Sequence, residues 1–347
     1  MKAALLNALC RPVTVASVAD PQCPPDGAVV QVQACGVCRS DLHTWKGADP
    51  DLVLPHVMGH EFSGEVVETG PNCRTFRRGD RVTSPFILGC GHCEDCTAGR
   101  PTICDNQRLI GFTQWGAFAE RVAVQHADFN LVRLPDAVGY VEAAGMGCRV
   151  TTAWRALSDR AGLREGEWLA VHGCGGVGLA AIMLARTIGA RVVAIDVSDA
   201  ALAKARDLGA EHCLNAGSTR AIGAAVRELT KGGAHVSIDA LGVTATFDGS
   251  LRSLRKLGRH VQIGMPVGPH VEVSLPLLDL VYSRQLSLYG MRGLGAAGFV
   301  PLLDMAACGR LDLAKLVTER IPLEGLQGAF ERMEAGSGFG ISVVDRF

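Results

Sequence analysis

The sequence predicts an α/β protein of two domains, one rich in β-strands and one built on a doubly wound parallel sheet. Two observations carry this prediction. Up to about residue 148, short β-type runs such as "AVVQVQA", "FSGEVVETG" and "AFAERVAV" are separated by Gly, Pro and Asp turns. From Glu167 onward, apolar strand-like segments alternate with helical segments, which is typical of buried parallel strands joined by helices.

Length and composition agree with a soluble two-domain protein. The chain has 347 residues, 48% of them hydrophobic and 20% charged. The net charge is −1, so the chain lacks the basic excess with which proteins bind nucleic acid. The sequence contains no run of about 18 apolar residues, so no membrane span is predicted. Asn7, Cys10 and Arg11 interrupt the N-terminal apolar stretch, so no secretory signal is predicted either. We therefore expect a cytoplasmic protein with neither a nucleic-acid nor a membrane partner.

The second half of the chain supplies the elements of the parallel sheet. Strands are predicted at "WLAVHG", "ARVVAIDV", "AHVSIDAL" and "RHVQIG". Helices are predicted between them at "LAAIMLARTIG", "DAALAKARDLG" and "TATFDGSLRSLRKLG", each of which ends on glycine, a common helix stop. The alternation ends after "LSLYGMRG", where a helix, "AGFVPLLDMAACGRL", and a closing strand, "FGISVVDRF", follow.

A glycine-rich loop follows the first of these strands. In "WLAVHGCGGVGLAAIMLA" the glycines have the G-x-G-x-x-G spacing, which permits a tight turn and lets the backbone approach a pyrophosphate. The next strand ends at Asp196, where a carboxylate would bind an adenosine ribose and repel a 2′-phosphate. The alternative is a glycine-rich turn beside a surface aspartate. The sequence thus predicts an NAD site formed by the residues Gly173, Gly175, Gly176, Val177, Gly178 and Asp196.

Four of the 13 cysteines lie within "CGHCEDCTAGRPTIC". Tetrahedral zinc takes four soft donors, and C-x-x-C steps supply them from one compact loop. A site filled by four protein ligands is closed to substrate, so the zinc would be structural; the alternatives are free thiols or two disulfides. The predicted ligands are Cys90, Cys93, Cys96 and Cys104.

A second zinc site, with three protein ligands and one open position, can be assembled from other residues. Its first ligand is Cys35 or Cys38 in "CGVCRSDLH", its second His60 in "VMGHEFSGEVVETG", and its third Cys148 in "EAAGMGCRVTTAWRAL". Taken singly, His60 fits a structural histidine and Cys148 a buried core thiol. Together with a nicotinamide site, the three residues form a coherent active site.

These segments, in this order over the whole chain, resemble the zinc-dependent alcohol dehydrogenases of the medium-chain dehydrogenase/reductase superfamily. The resemblance implies a GroES-like β-rich catalytic domain at residues 1–149 and 292–347, and an NAD-binding Rossmann domain at residues 150–291. It also implies an active site in the cleft between the two domains.

The resemblance assigns roles to individual residues. Cys38, rather than Cys35, resembles the first ligand of the catalytic zinc, because a hydroxyl residue and an aspartate follow it. His60 and Cys148 resemble the other two ligands. Asp41 resembles the carboxylate that orients the zinc-bound imidazole, and Glu61 the acidic residue behind the metal that approaches zinc during ligand exchange.

Further expectations follow from the same resemblance. Ser40 would take the proton of the alcohol, and His43 would pass it to solvent through the cofactor ribose. The implied reaction is reversible hydride transfer between NAD and a primary or secondary alcohol, with the aldehyde or ketone as the other partner. The implied cofactors are NAD, one catalytic zinc and one structural zinc, and the implied assembly is a homotetramer or dimer. The alternatives are a zinc-free quinone or enoyl reductase on the same scaffold and a non-catalytic protein that binds zinc and nucleotide.

Overall fold

The computed structural model describes residues 1–336 and 340–347, and the chain divides into two compact units. The first unit comprises Met1–Thr151 and Gly293–Phe347, and the second comprises Thr152–Arg292. Among the residues described, none of the helices is long and apolar enough to span a lipid bilayer.

The first part of the chain carries mostly short strands, and its helices are brief. The strands are β1 (Lys2–Leu6), β2 (Thr14–Ser17), β3 (Ala28–Val37), β4 (His56–Val57), β5 (Glu61–Thr69), β6 (Arg81–Thr83), β7 (Ile87–Leu88), β8 (Arg108–Leu109), β9 (Arg121–Val124) and β10 (Val132–Arg133). The helices are α1 (Arg39–Trp45), α2 (Glu94–Thr97), α3 (Ala127–Asn130), α4 (Tyr140–Met146) and α5 (Arg149–Arg155).

Strands and helices alternate in the second unit, and a shorter mixed segment follows it. The second unit contains β11 (Trp168–His172), α6 (Gly176–Ile188), β12 (Arg191–Asp196), α7 (Asp199–Asp207), β13 (His212–Asn215), α8 (Ile222–Leu229), β14 (Ala234–Asp239), α9 (Thr244–Ser253), β15 (Leu254–Gln262) and β16 (Ser287–Gly290). The last segment contains α10 (Phe299–Ala307), β17 (Val317–Pro322), α11 (Leu326–Glu334) and β18 (Ile341–Arg346).

Single helical turns complete the secondary structure of the described residues. The 3₁₀ turns lie at Pro101–Ile103, Gly268–His270, Ala296–Gly298, Leu313–Leu316 and Leu323–Gly325, and π-helical turns lie at Ala156–Arg160 and Leu277–Tyr282.

A mixed sheet with the order β10-β6-β5-β3-β18-β17 forms the centre of the first unit, and β9 also pairs with β3. Two smaller sheets, β2-β1-β4 and β7-β8, accompany it. The core beside this sheet contains the fully buried rings of Phe62, Phe118 and Phe330. The predicted closing strand is present as β18, which pairs with β3, while Phe339 at its predicted start lies outside the described residues.

The second unit is a parallel sheet with the order β13-β12-β11-β14-β15-β16. This order reverses direction beside β11, the arrangement of a doubly wound dinucleotide-binding fold. β11 is buried along its whole length, as parallel strands covered on both faces are. The sequence patterns do not identify the edge strands β13 and β16, because each has only 4 residues.

One predicted helix is too long. The sequence pattern predicts a helix over "TATFDGSLRSLRKLG", but α9 ends at Ser253 and β15 begins at Leu254. Leu254 is buried and pairs with Ala234, whereas Leu257, at the next helical repeat, is 69% exposed with a φ of 61°. Leucines three residues apart imitate a helical face here, but pairing with β14 determines the conformation.

Two histidines lie buried under the parallel sheet of the second unit. His172 lies 3.1 Å from the Ser253 hydroxyl, and His260 lies 2.9 Å from the Ser250 hydroxyl. Burial, reinforced by His260, lowers the pKa of His172 to about 3, and burial lowers that of His260 to about 4. Both rings are therefore neutral in the folded protein at neutral pH.

We predict that these histidines destabilise the fold in acid. The unfolded chain takes up protons below about pH 6.5, whereas the folded protein does not, so stability falls as the pH falls from about 6.5 to about 4. The slope approaches about 1.4 kcal/mol per pH unit for each histidine. Urea unfolding of His172→Gln should show a shallower pH dependence than the wild type, and His270→Gln, a control on a half-buried histidine, should not. Equal slopes for His172→Gln and the wild type would contradict the prediction.

Candidate active site

The turn after β3 positions the first group of candidate site residues. Cys38 directly follows the strand and caps α1, and its backbone N–H donates a 2.8 Å hydrogen bond to Asp41 Oδ2. Ser40 is half-buried, and its Oγ lies 3.7 Å from Cys38 Sγ. His43 is also half-buried, and its Nδ1 has no hydrogen-bond partner in the described part of the chain.

Asp41 orients the imidazole of His60. Its Oδ1 accepts hydrogen bonds from His60 Nδ1 at 3.0 Å and from the Gly59 backbone N–H at 3.1 Å. Because Nδ1 donates to Asp41, Nε2 carries the lone pair of the neutral ring. His60 Nε2 is buried and has no hydrogen-bond partner among the described residues. This nitrogen is therefore a candidate metal ligand.

Cys148, between α4 and α5, completes the group. One ligand atom each from Cys38, His60, Glu61 and Cys148 lie within 4.8 Å of one another, and all four side chains are buried. A hydrogen bond from Cys148 lowers the pKa of the Cys38 thiol well below its ordinary value, and the same contact raises the pKa of Cys148. Of the two thiols, that of Cys38 therefore loses its proton more readily. We call Cys38, His60 and Cys148 the three-ligand cluster, and Glu61 lies next to it.

Cys35, the alternative first ligand, lies elsewhere. It is fully buried within β3, opposite Phe62 and Val344, and its Sγ lies 3.8 Å from the Gly36 carbonyl oxygen. Burial raises the pKa of its thiol well above the ordinary value. Cys35 is therefore a core thiol.

Arg149, which no sequence motif indicates, contacts Glu61 next to the cluster. Its side chain forms a buried ion pair with Glu61, and its Nε lies 3.0 Å from Glu61 Oε1. Burial raises the pKa of Glu61, and the guanidinium opposes that shift. No local spacing in the sequence links the two residues, because they are 88 positions apart.

Aromatic rings cover one side of the cluster. The His60 ring centroid lies 5.5 Å from that of Phe86 and 4.9 Å from that of Phe112. Phe86 also packs with Cys38, Cys148 and Ile87. Of the other aromatic residues of the first unit, Trp45 belongs to the core, with its Nε1 2.7 Å from the Arg11 carbonyl oxygen, and Trp115 is 39% exposed.

The four cysteines of "CGHCEDCTAGRPTIC", which we call the four-cysteine lobe, converge as their spacing predicts. The ligand atoms of Cys90, Cys93, Cys96 and Cys104 lie within 4.8 Å of one another. Cys93 Sγ lies 3.7 Å from Cys104 Sγ, and Cys90 Sγ lies 4.0 Å from Cys96 Sγ. These distances are too long for disulfides, and tetrahedral zinc with Zn–S bonds of about 2.3 Å would place its sulfur atoms about 3.8 Å apart.

Backbone amides support the same lobe. The N–H groups of Cys93 and Cys96 lie 3.4 Å from Cys90 Sγ and 3.5 Å from Cys93 Sγ, respectively. Hydrogen bonds from the backbone, first that of His92, lower the pKa of Cys90 to about 6. Such N–H groups stabilise thiolates, which are the form that binds zinc.

The glycine loop connects β11 to α6 in the second unit. Gly173 has a φ of 96°, which favours glycine, and a Cβ on Gly178 would lie 1.9 Å from the Gly173 carbonyl oxygen. Gly175 caps α6 and is exposed, and no atom lies within 4 Å of where its Cβ would be. Gly176 and Val177, at the start of the helix, are half-buried. The first turn of α6 therefore offers backbone N–H groups to an anion.

Asp196 ends β12 beside this loop. Its carboxylate accepts hydrogen bonds from the backbone N–H groups of Cys174 at 2.6 Å and Ser198 at 2.9 Å. The glycine loop and Asp196 thus lie together at the carboxyl ends of the neighbouring parallel strands β11 and β12. Dinucleotides bind at this end of such sheets.

Comparison with known proteins identifies the family. The profile described as "Alcohol dehydrogenase GroES-like domain" matches residues 24–136, and the profile described as "Zinc-binding dehydrogenase" matches residues 176–307. An alcohol dehydrogenase of Geobacillus stearothermophilus is 34% identical over 343 residues, 97% of each chain. The chain belongs to the zinc-binding alcohol dehydrogenase family. Both the predicted family and the predicted fold class are thereby confirmed.

Solved structures of the family have the same fold over the whole chain. One, titled as an NAD-dependent alcohol dehydrogenase, has a TM-score of 0.90 and 31% identity and covers 100% of both chains. An alcohol dehydrogenase from Thermus sp. ATN1 has a TM-score of 0.91 and 30% identity and also covers 100% of both chains. These relatives confirm the prediction that the protein is an oxidoreductase of the alcohol dehydrogenase type.

Proposed function

We propose that the protein is a zinc-dependent alcohol dehydrogenase that transfers hydride reversibly between NAD and a primary or secondary alcohol, with the aldehyde or ketone as the other partner. The observation that carries the proposal is the three-ligand cluster, in which His60 Nε2 is buried without a partner beside two thiols. Its family membership and the glycine loop support the same reaction. The predicted domain limits at residues 149/150 and 291/292 remain part of this proposal.

The donor atoms of the cluster fit zinc. Two thiolates and a neutral imidazole are the ligand set of an alcohol dehydrogenase zinc, and they leave one position open for substrate. Zinc held there would supply a Lewis acid that lowers the pKa of an alcohol hydroxyl and polarises a carbonyl. Asp41 fixes the ring of His60 and its tautomer, which is the common support of a zinc-bound histidine.

The proton of the substrate hydroxyl would leave through Ser40 and His43. Ser40 Oγ, 3.7 Å from Cys38 Sγ, lies next to the proposed substrate position and can accept this proton as it gives up its own. Burial, with the charge of Arg39, lowers the pKa of His43, so its ring is neutral at neutral pH and can take the proton toward solvent. Phe86 and Phe112 would form the apolar side of the substrate position.

The four-cysteine lobe fits a second, structural zinc. All four donors come from one loop, their spacing fits a tetrahedron, and no position remains for a substrate. Metal held by such a lobe contributes directly to folding.

NAD is the proposed cofactor, and it would accept or donate the hydride. The start of α6 would hold the pyrophosphate, and Asp196 would accept hydrogen bonds from the adenosine ribose and repel a 2′-phosphate. Ala201 stands where some family members carry a lysine, so this chain lacks that further side chain toward the cofactor.

Two alternatives have less support. A zinc-free quinone or enoyl reductase does not need Cys38, His60 and Cys148 within one cluster. A non-catalytic zinc- and nucleotide-binding protein does not need the half-buried Ser40 and His43 next to such a cluster. Neither alternative has an observation of its own in its favour.

We also propose a homo-oligomer, a tetramer or a dimer, in the cytoplasm. The segment that leads to the edge strand β16 exposes large apolar side chains, among them Tyr282 at 76%, Leu278 at 67% and Val271 at 64%. Exposed apolar patches at a sheet edge are typical of contact surfaces. None of the 13 cysteines, which all lie among the described residues, forms a disulfide, which is usual in a reducing compartment.

The reaction is tested by a panel of primary and secondary alcohols, and of aldehydes and ketones, with NAD(H) and NADP(H). We predict that at least one alcohol produces NADH, followed by its absorbance, and that the matching carbonyl compound consumes it. NAD binding without turnover on the whole panel would favour the non-catalytic alternative.

The two metal sites predict two zinc ions per chain. Cys96→Ser should lose one zinc and much of the thermal stability, because structural metal binding is coupled to folding. Cys38→Ser should lose the other zinc and all turnover but keep its fold. Elemental analysis and thermal unfolding check these outcomes, with Cys35→Ser as the control that keeps both metals. A single zinc in fully active wild-type protein would disprove the two-site proposal.

The role of Asp196 predicts the cofactor preference. Asp196→Ala should lower kcat/KM for NAD and relax discrimination against NADP, with each tenfold change equal to about 1.4 kcal/mol. Asp196→Asn is the matched control, because it keeps an acceptor for the Cys174 N–H but loses the charge, so it should relax discrimination with less loss of NAD use. A wild-type protein that prefers NADP would contradict this assignment.

Substitution of Ser40 or His43 should slow the reaction without removing zinc, unlike substitution of a metal ligand. His43→Gln should slow alcohol oxidation most at lower pH and recover partly with an added diffusible base, because general acid–base groups contribute about 10²- to 10⁴-fold and water replaces part of that. Ser40→Ala should be slower and not recover, since bulk base cannot reach its position. Zinc content is measured for both variants. If His43→Gln removes zinc, these roles are wrong.

A further inference from the structure

A buried ion pair adjoins two of the proposed ligands. Glu61 follows His60 directly in the chain, and Arg149 follows Cys148. Both side chains are buried, Glu61 completely and Arg149 with 4% of its surface exposed. The pair therefore connects the first residue of β5 to the first residue of α5, and each of these residues directly follows a proposed ligand.

Arg149 occupies both oxygens of the Glu61 carboxylate. Oε1 accepts hydrogen bonds from the Arg149 backbone N–H at 3.2 Å and from Nε at 3.0 Å, and Oε2 accepts one from Nη2. Every contact is an N–H donor, so both carboxylate oxygens act as acceptors. This two-pronged geometry belongs to arginine, whose planar fork matches a carboxylate.

The carboxylate is nevertheless within reach of the metal position. A Glu61 oxygen lies within 4.8 Å of the ligand atoms of Cys38, His60 and Cys148. Zinc binds carboxylate oxygen at about 2.0–2.2 Å, so a modest movement of Glu61 would make it a fourth ligand. Two thiolates already neutralise a divalent ion, and a carboxylate in the open position would exclude a substrate oxygen.

Close packing against the backbone of β3 restricts the Glu61–Arg149 pair on another side. A Cβ at Gly36 would lie 2.3 Å from Glu61 Oε2 and 3.1 Å from Arg149 Nη2, so the backbone of β3 contacts the ion pair closely. Glu61 cannot retreat in that direction. On the remaining side, both of its oxygens accept hydrogen bonds from Arg149.

We propose that Arg149 is a positioning residue that holds the Glu61 carboxylate away from the zinc position and so keeps the fourth coordination position open for substrate. The inference rests on the proposed function, because it requires a metal at Cys38, His60 and Cys148. It assigns to Arg149 a role that a purely structural ion pair would not have.

The test uses the visible absorption of cobalt(II) in place of zinc, because the spectrum of this ion reports the number and kind of its ligands. In Arg149→Met the freed carboxylate should join the metal, and the cobalt spectrum should differ from that of the wild type. In the double variant Arg149→Met with Glu61→Gln, the spectrum should return to that of the wild type, since no carboxylate remains. The four-cysteine lobe contributes the same background to every variant.

Turnover should change in the same variants whose cobalt spectra change. Turnover of Arg149→Met should fall roughly 10- to 100-fold, the range for residues that support metal ligands, and the double variant should recover a large part of it. Arg81→Met is the matched control, because Arg81 also donates to part-buried carbonyl groups of the first unit, those of Pro135 and Val138, but does not contact the cluster. Its cobalt spectrum should be that of the wild type.

Three outcomes would overturn the inference. If Arg149→Met binds two metals and its spectrum equals that of the wild type, Glu61 does not move and the inference fails, while the proposed function stands. If the changed spectrum persists in the double variant, a group other than Glu61 causes it. If the wild type takes up one metal and Cys38→Ser does not alter its spectrum, the proposed function fails and the inference with it. Should Arg149→Met not fold, Arg149→Gln, which keeps an amide group but loses the charge and the two-pronged contact, replaces it, with changes in the same direction and of smaller size.

Discussion

The antiparallel pairing of β3 with β5 is the constraint on which the candidate site depends. Its register places Gly36 opposite Glu61 and Cys35 opposite Phe62. Cys38, two residues beyond Gly36, and His60, one residue before Glu61, therefore emerge at the same end of the two strands. A slip of one residue would reverse every side chain of β5 and separate the two candidate ligands. Pairing of β18 with the same end of β3 holds this register from the other side.

Burial decides which groups at that end remain able to bind a metal. A buried polar group is costly unless it is hydrogen-bonded, and both carboxylates meet that condition. Asp41 accepts from the backbone of Cys38 and Gly59 and from His60, and Glu61 accepts from Arg149. Two thiols and one ring nitrogen are left facing a common position. Their lack of better partners, rather than their chemistry alone, makes them a coherent ligand set.

Local spacing accounts for what the sequence predicts well. The four-cysteine lobe and the glycine loop lie within single short segments, so their residue types and intervals carry nearly all the geometry. The second ligand set is harder to predict, because it combines segments around Cys38, His60 and Cys148. Spacing alone leaves Cys35 as a candidate; the family resemblance favours Cys38, and the strand register places Cys35 in the core. Residue patterns do not predict Arg149 or Phe112, since each depends on a contact across the fold. The helix predicted through Gly258 fails for a related reason, because a strand pairing overrides a helical repeat.

The discontinuous first unit has a consequence for biosynthesis. β3 leaves the ribosome early, but its neighbour β18 comprises Ile341–Arg346 and is made after the whole second unit. The second unit, one uninterrupted stretch, can complete its sheet before those residues exist. The nascent chain must therefore carry an unfinished sheet, with its thiols near an open strand edge, through most of translation. The proposed site at Cys38 and its neighbours would then be completed only after β18 has paired with the end of β3, whereas the proposed site of the cysteine lobe, contained in one loop, could fill as soon as Cys104 has emerged.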